Sequence, residues 1–583
     1  MKKIIPVITA IVLILVVIAI GVGMKLAEKY SYSKERADLE EYFNLHGGDE
    51  VAIILQDECV EEKAKLISNV YYFDMATVQK YFSNRFYEDK NERLLLYTLP
   101  EDTVRVETGS SSYVTGEGAV DMGFPIALYA AQDGKEETLY IAADYIKLFK
   151  DYSYKAFTEP NRMQVYTQKA EEKREARIAK GTALRYQGGV KSPILSDLEI
   201  GDKVTILEEM ENWSKVKTED AFIGYVENKR MDTENVMAVE GAQAVERQEP
   251  EESVGAKFGN LEYTSLTRGH KINLGWHVVA GATGNDTLIG ALENTKGLNV
   301  ISPTWFALTD SEGNFSSFAS AEYVRRAHEI GLEVWGLIDN FSNKDEVDTY
   351  ELLSYTSRRA KLIGDLVATA TEYGIDGINV DFESISQDAG THFIQFIREL
   401  SVACRKNGLV LSVDNYVPMG YTDHYDREEQ GVFVDYVIIM GYDEHYNGSQ
   451  EAGSVASIGF VEDGIRKTVE QVPAEKVINA IPFYTRIWKS QGASLSSEAV
   501  GMEMAEKFIA NHGIETMWDE SACQNYGEAM EEDVFYQVWL EDEQSIEAKL
   551  GIMEKYQIGG VAAWRLGFEK PAIWDVIANY VGQ

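Results

Sequence analysis

The residues in this chain best suited to chemistry lie in one short run, Asp376-Gly377-Ile378-Asn379-Val380-Asp381-Phe382-Glu383. Ile378, Val380 and Phe382 alternate with Asn379, Asp381 and Glu383, the period of two that marks a β-strand with unlike faces. One face is bulky and apolar; the other carries an amide and two carboxylates. A lone Asp-x-Glu on such a strand is ordinarily just solvated. Here helical patterns stand on both sides, Leu362 to Tyr373 before and Thr391 to Cys404 after, which predicts a strand in a parallel sheet with a covered outer face. The acidic face would then point inward, and burying two carboxylates on one face is costly unless they have a task. Two carboxyl groups at this spacing suit acid–base work: one donates a proton, and its neighbour holds it protonated near neutral pH by like-charge repulsion.

The elements that must position this strand are set by the alternation over residues 268–583. Candidate strands are 272–279, 300–304, 333–338, 377–382, 410–414, 436–440, 477–481 and 560–564. Helical patterns at 320–330, 351–373, 391–408, 461–471 and 545–556 fall between most of them. Eight strands with intervening helices predict a (β/α)8 barrel, with the acidic strand fourth and its carboxylates near the C-terminal mouth. A doubly wound open sheet is the rival, but no G-x-G-x-x-G comes after the first strand.

The run Asp376-Gly377-x-Asn379-x-Asp381-x-Glu383 resembles the D-G-x-D-x-D-x-E signature of glycoside hydrolase family 18, with Asn379 where many members have Asp. Met440-Gly441-Tyr442-Asp443 resembles the family's M-x-Y-D at strand six, and Trp564 stands where the family has a Trp at strand eight. The resemblance implies a retaining, substrate-assisted hydrolase of N-acetylglucosamine-containing glycans. It makes Glu383 the general acid and Asp381 the group that holds the acetamido N–H. Tyr442 would bond the acetamido oxygen, Trp564 would floor the sugar subsite, and Asn379 and Asp443 would complete the binding set. An amide at 379 is expected to donate to Asp381 without titrating, leaving Asp381 ionised over a wider pH range. Asp376 is expected to end the preceding turn or to support the network from below, without direct chemistry. His277, in Gly275-Trp276-His277, reads equally as a wall residue or a contact, and Trp518-Asp519-Glu520 falls in an insertion between strands seven and eight. A non-catalytic carbohydrate-binding scaffold of the same fold is the alternative; retention of Glu383 favours the enzyme.

Length and composition bound the rest. The 583 residues predict two to four domains. A formal net charge of -40, from 95 acidic and 55 basic residues, disfavours nucleic acid and anionic lipid as partners. Cys59, Cys404 and Cys523 are too few and scattered for a disulfide framework or zinc site and read as buried free thiols. The eight His include no H-E-x-x-H, so neither a metal nor a cofactor is expected.

The apolar, uncharged run 4–24 after Lys2 and Lys3 predicts a transmembrane signal-anchor that crosses the cell membrane once and leaves the C-terminal bulk of the chain extracytoplasmic. Residues 49–167 predict an α+β stalk-like module, with a helix over 71–82 and strands at 94–98, 103–107 and 137–141. It is faintly similar to the N-terminal domain of copper amine oxidases, without copper ligands. Residues 168–180 are a charge run, read as a solvated helix or linker. Residues 182–231 resemble a bacterial Src-homology-3-like module, which implies a small all-β barrel and a cell-wall peptide as possible ligand, with Trp213 at its centre. Residues 238–256 are polar, acidic and aromatic-free, and read as a linker. An anchor and a wall-binding module point to peptidoglycan as the glycan.

Overall fold

The computed structural model describes residues 5–131, 137–167, 174–233, 256–259 and 261–582. Lys2, Lys3 and the first residue of the expected anchor, Ile4, lie outside these, as do 168–173 of the charge run and 238–255 of the expected linker. The chain divides into two compact units.

The first unit holds most of residues 1–260. It begins with the helix Ile5–Tyr30, of which Ile8–Tyr30 is long and apolar enough to cross a membrane and has no residue of its apolar stretch buried. A seven-stranded sheet comes next, in the order Ser153–Phe157, Arg162–Tyr166, Glu50–Leu55, Glu58–Ile67, Val70–Asp74, Thr138–Ala142, Ala127–Ala130. The single helix expected over 71–82 is instead a strand, Val70–Asp74, and a helix, Met75–Tyr81. Asp74 ends the strand and caps the helix by accepting from Thr77 N at 2.8 Å, so one side chain sets the switch.

A second seven-stranded sheet runs from Glu175 to Asp232. Its first strand, Glu175–Ile178, lies in the expected charge run, where alternation of buried Ala176 and Ile178 with exposed Glu175 outweighs the local charge density. Its core is Leu184, Leu195, Leu198, Val204, Ile206, Val216, Ile223 and Val226. Trp213 is half-buried and outside that core; its ring lies against Gly188, so it is an edge residue and not the centre of a barrel. Nor are all three thiols buried: Cys404 is, Cys523 is half-buried, and Cys59 is exposed.

The second unit is built on a closed parallel barrel. Its strands are β1 (Ile272–His277), β2 (Val300–Leu308), β3 (Glu333–Asp339), β4 (Gly377–Asp381), β5 (Val410–Tyr416), β6 (Tyr436–Met440), β7 (Val477–Pro482) and β8 (Gly560–Trp564). Pairing runs in chain order, and β8 closes onto β1 through Leu274↔Ala562. The short strand Phe315–Ser317 adds antiparallel to the end of β2. Ile378, Val380 and Phe382 face the helix layer, in one core with Leu366, Phe393, Phe396 and Val413. The barrel interior is a second core of Leu274, Trp276, Trp335, Leu337, Ile438, Ile478 and Ala562. Each such buried aliphatic side chain contributes about 1.5–3 kcal/mol. This two-sided burial holds β4 in register with its polar face inward, because a one-residue slip would exchange the faces.

The helices include α1 (Ala321–Glu329), α2 (Thr356–Tyr373), α3 (Gly390–Asn407), α4 (Ile458–Val469), α5 (Glu543–Lys555) and α6 (Ile573–Val581). The helical pattern 351–373 is broken at Tyr355 into Thr349–Ser354 and α2. The start of α2 is capped from far away: Asp89 Oδ2 accepts from Thr356 N and Oγ1, both at 2.6 Å, and Glu92 accepts from Ser357 N. Asp89 and Glu92 lie in Tyr87–Arg105, a segment of the N-terminal region that belongs to the barrel unit. Between β7 and β8 the chain builds a five-stranded antiparallel sheet, Tyr484–Gln491, Ser494–Gly501, Thr516–Asp519, Gln524–Glu531 and Val534–Leu540. Trp518 and Asp519 belong to that sheet.

Candidate active site

The barrel's C-terminal mouth holds a cavity of about 260 Å³ lined by residues from seven of the strands or the turns just after them. β4 delivers Asp381 as its last residue, and Glu383 lies two positions on, at the start of a turn in which Ser384 has φ 53°. β5 delivers Asp414 and Tyr416, β1 delivers Trp276, and β8 ends on Trp564. Beyond β6, Tyr442 and Asp443 turn into the same space. Gly441 permits that turn, since a Cβ there would meet Asn479 Oδ1 at 2.7 Å and Ala480 O at 2.8 Å. Trp564 and Trp276 meet edge to face, 5.8 Å between centroids, so an apolar floor adjoins the carboxylates.

Glu383 is held at both ends. Its backbone N donates to Asn340 Oδ1 at 2.8 Å, and Asn340 Nδ2 donates to Glu383 O at 2.9 Å. Tyr416 OH donates to Glu383 Oε2 at 2.8 Å. Burial raises the carboxyl's pKa, the Tyr416 hydrogen bond opposes that, and the charges of Asp443 and Asp339 add to the rise. A raised carboxyl, half-buried and facing open space, is what a proton donor at neutral pH requires.

Asp381 is 6% exposed, and among the described residues its Oδ1 has no hydrogen-bond partner. Burial, and then the charges of Asp414, Glu383 and Asp339, push its carboxyl well above the usual range. The register explains the crowding, for Asp339 stands directly beside Asp381 on β3. Asp414 is buried too and is pushed up to about 8 by burial, against the lowering effect of a hydrogen bond from Asn379.

The expected site residues Asp381, Glu383, Tyr442, Asp443 and Trp564 therefore share one cavity. Asn379 lies beneath it, fully buried. Its amide makes no bond to Asp381. It donates to Asp414 Oδ1 at 2.9 Å and to Ser412 Oγ at 3.0 Å, and accepts from Trp276 Nε1 at 2.9 Å. The expected widening of Asp381's ionised range loses its basis, since burial and three carboxylates act the other way. Asp443 accepts from Tyr484 OH at 2.6 Å and sits at φ 59°. Asp376 supports the strand from the barrel's other end, accepting from Val334 N and His328 Nε2, both at 2.8 Å. His277 is a wall residue bonded to Tyr323 and Thr287, its pKa pulled down to about 4 by burial.

Asp414, Tyr416, Trp276 and Tyr484 were not among the expected site residues. A signal for two of them exists: Ser412-x-Asp414-x-Tyr416 repeats on β5 the polar alternation of β4.

Residues 302–569 match the family model "Glycosyl hydrolases family 18". This part of the chain is thus a family 18 glycoside hydrolase domain. The chain is 25% identical over 292 residues to the "Uncharacterized glycosylase YvbX" of Bacillus subtilis (strain 168), across 48% of this chain and 84% of that protein. It is 26% identical over 230 residues to the "Cortical fragment-lytic enzyme" of Bacillus cereus, across 38% of this chain and 53% of that protein. The match therefore spans about half of the cortical fragment-lytic enzyme. Among solved structures, the chitinase from Chromobacterium violaceum ATCC 12472 covers 54% of this chain and 99% of its own, at 23% identity and a TM-score of 0.48.

Proposed function

We propose that the barrel hydrolyses β-1,4 bonds of N-acetylglucosamine-containing glycans, peptidoglycan foremost, by a retaining, substrate-assisted route. The observation that carries this reading is the pairing of a raised, half-buried Glu383 carboxyl with an unpartnered Asp381 oxygen in one cavity. Glu383 gives its proton to the bridging oxygen. The sugar's own acetamido oxygen attacks the anomeric carbon, as family 18 enzymes are known to do. Asp381 Oδ1, lacking a donor, accepts from the acetamido N–H and balances the positive charge of the oxazolinium ion. Tyr442 OH bonds the acetamido oxygen, Trp564 floors the ring, and Asp443 binds at the cavity's edge. Glu383 then takes a proton from water, which opens the oxazolinium with net retention.

Peptidoglycan is favoured over chitin on three grounds. The helix Ile5–Tyr30 can serve as a membrane anchor that keeps the remaining chain outside the cell. The small all-β unit suits a Src-homology-3-like, peptide-binding role. One relative is named for lysis of cortical fragments.

The test is turnover by the full chain of N-acetylglucosamine oligomers and purified peptidoglycan, read as new reducing ends, beside Glu383→Gln. A loss of about 10³ in kcat is expected. Equal turnover by the two proteins removes Glu383 as proton donor. Saturable binding of the same glycans with no turnover by the native protein would make the domain a carbohydrate-binding scaffold.

A further inference from the structure

We infer that Asp414 is the proton-sharing partner of Asp381, so that position 379 only orients the site while position 414 titrates. The inference rests on the hydrolytic reading above and adds a residue to it.

The amide of Asn379 is fixed. Its oxygen accepts from Trp276 Nε1, a group that can only donate, and from Ser302 Oγ at 3.2 Å. Its nitrogen must then be the donor toward β5, where it reaches Asp414 Oδ1 and Ser412 Oγ. Every hydrogen-bonding position of Asn379 is occupied, and none serves Asp381. Because an N–H already occupies Asp414 Oδ1, any proton on Asp414 rides on Oδ2.

The groups acting on this pair come from each neighbouring element. Asp381 feels Asp414 from β5, Glu383 from its own turn and Asp339 from β3. Asp414 feels Glu383 and receives the Asn379 hydrogen bond. Tyr442, beyond β6, lies near enough to feel Asp381, Asp414 and Glu383 and is itself held neutral by burial. Asp381 and Asp414 stand one step beyond the Val380↔Val413 pairing of adjacent strands and line one cavity, so the two buried carboxyls titrate as a pair.

In the singly protonated pair of the free site the Asn379 donor favours the anion at Asp414, and the proton stays on Asp381. When the acetamido N–H of a sugar reaches Asp381, the preference reverses. The O–H bond at Asp381 breaks, an O–H bond forms at Asp414 Oδ2, and the negative charge moves to Asp381, where oxazolinium charge develops. No proton enters or leaves the pair. Asp414 is thus a positioning residue for charge and does not itself touch the sugar.

The experiment uses the full chain as native, Asp414→Asn and Asn379→Asp/Asp414→Asn forms. The double variant moves the second carboxyl from β5 back to β4. Two readouts are taken: pH–rate profiles on an N-acetylglucosamine oligomer, and infrared titration of neutral carboxyl groups in the substrate-free proteins. In Asp414→Asn we expect kcat to fall about tenfold or more with KM within about twofold. The upper carboxyl ionisation should move down by about one unit or more, because Asp381 has lost its like-charge neighbour. The double variant should recover both. An unchanged infrared titration or an unchanged pH–rate profile in Asp414→Asn overturns the inference. Should the native protein turn over no glycan, the hydrolytic reading fails, and the infrared titration still decides whether the pair shares a proton.

Discussion

Two sets of buried charges in the barrel unit are built on opposite rules. In the helix layer three buried cations are each met by a carboxylate. Arg359 on α2 is wholly buried, and its guanidinium donates to Glu399 at 2.8 and 3.0 Å, to Tyr87 OH at 3.0 Å and to Leu353 O at 2.6 Å. Arg398 on α3 meets Glu429 at 2.8 Å, and Lys549 on α5 meets Glu541 at 2.9 Å, both pairs buried. At the mouth, Asp381, Asp414 and Glu383 line one cavity, and each feels further carboxylates: Asp381 those of Asp414, Glu383 and Asp339, Asp414 that of Glu383, and Glu383 those of Asp443 and Asp339. Burying charge is expensive in either place. The helix layer offsets that cost with ion pairs and hydrogen bonds and gains rigid packing. The mouth offsets it only with hydrogen bonds, from Asn379 to Asp414 and from Tyr416 to Glu383, and thereby holds protons that a substrate can draw on.

The largest effect that would sharpen this contrast is at Asp381. Asp381→Asn should lower kcat by about 10²–10³ on an N-acetylglucosamine oligomer, because an amide cannot balance a developing cation. The same change should stabilise the protein. The folded carboxyl has a raised pKa, so between its ordinary value and the raised one the folded state binds a proton that the unfolded state lacks. Stability from this group is fully present below the unfolded pKa and falls as pH rises through the folded one. Removing the ionisable group flattens that fall, and melting at pH 8 should occur about 2 °C higher than in the native protein. A lower melting point at that pH would mean the carboxylate is structurally compensated, and the comparison would lose its mouth half.

Next comes the helix layer. Arg359→Met leaves the half-buried Glu399 without its cation and should cost about 3 kcal/mol in the barrel's unfolding transition, with kcat per folded molecule unchanged. Arg359→Met/Glu399→Met should recover most of that loss in the same denaturation series, since an apolar pair carries no desolvation cost. If the double variant is as unstable as the single one, the pair contributes more than mutual compensation.

The sequence exposes these two regions unequally. The alternation of β4 makes Asp381 and Glu383 visible because a period of two needs only local residues. The same pattern on β5 would have yielded Asp414 and Tyr416, but it is spread through Ser412-Val413-Asp414-Asn415-Tyr416, where Asn415 blurs the alternation of faces. The eight barrel strands were legible from their apolar runs. The cap on α2 was not, since Asp89 lies 267 residues from Thr356 in the chain and no local signal joins them. The bond from Asn379 to Asp414 was hidden for the same reason. Spacing places residue 379 beside residue 381, whereas the pleat and the β4–β5 register, Asn379↔Ser412, turn its amide toward the next strand.

The smallest expected effect tests whether the mouth is tuned as well as crowded. Tyr416 OH donates to Glu383 Oε2 at 2.8 Å, a hydrogen bond that stabilises the ionised carboxylate and so opposes the rise that burial produces. Tyr416→Phe removes the donor and keeps the ring. Glu383 should then hold its proton to higher pH, and the alkaline limb of kcat should move upward by about half a unit, with little change in the rate at the optimum. A downward shift would mean that the hydroxyl acts mainly as an acceptor from protonated Glu383. In that event Tyr416 would stabilise the acid form, and the rise at Glu383 would owe less to crowding by Asp443 and Asp339 than the contrast with the helix layer requires.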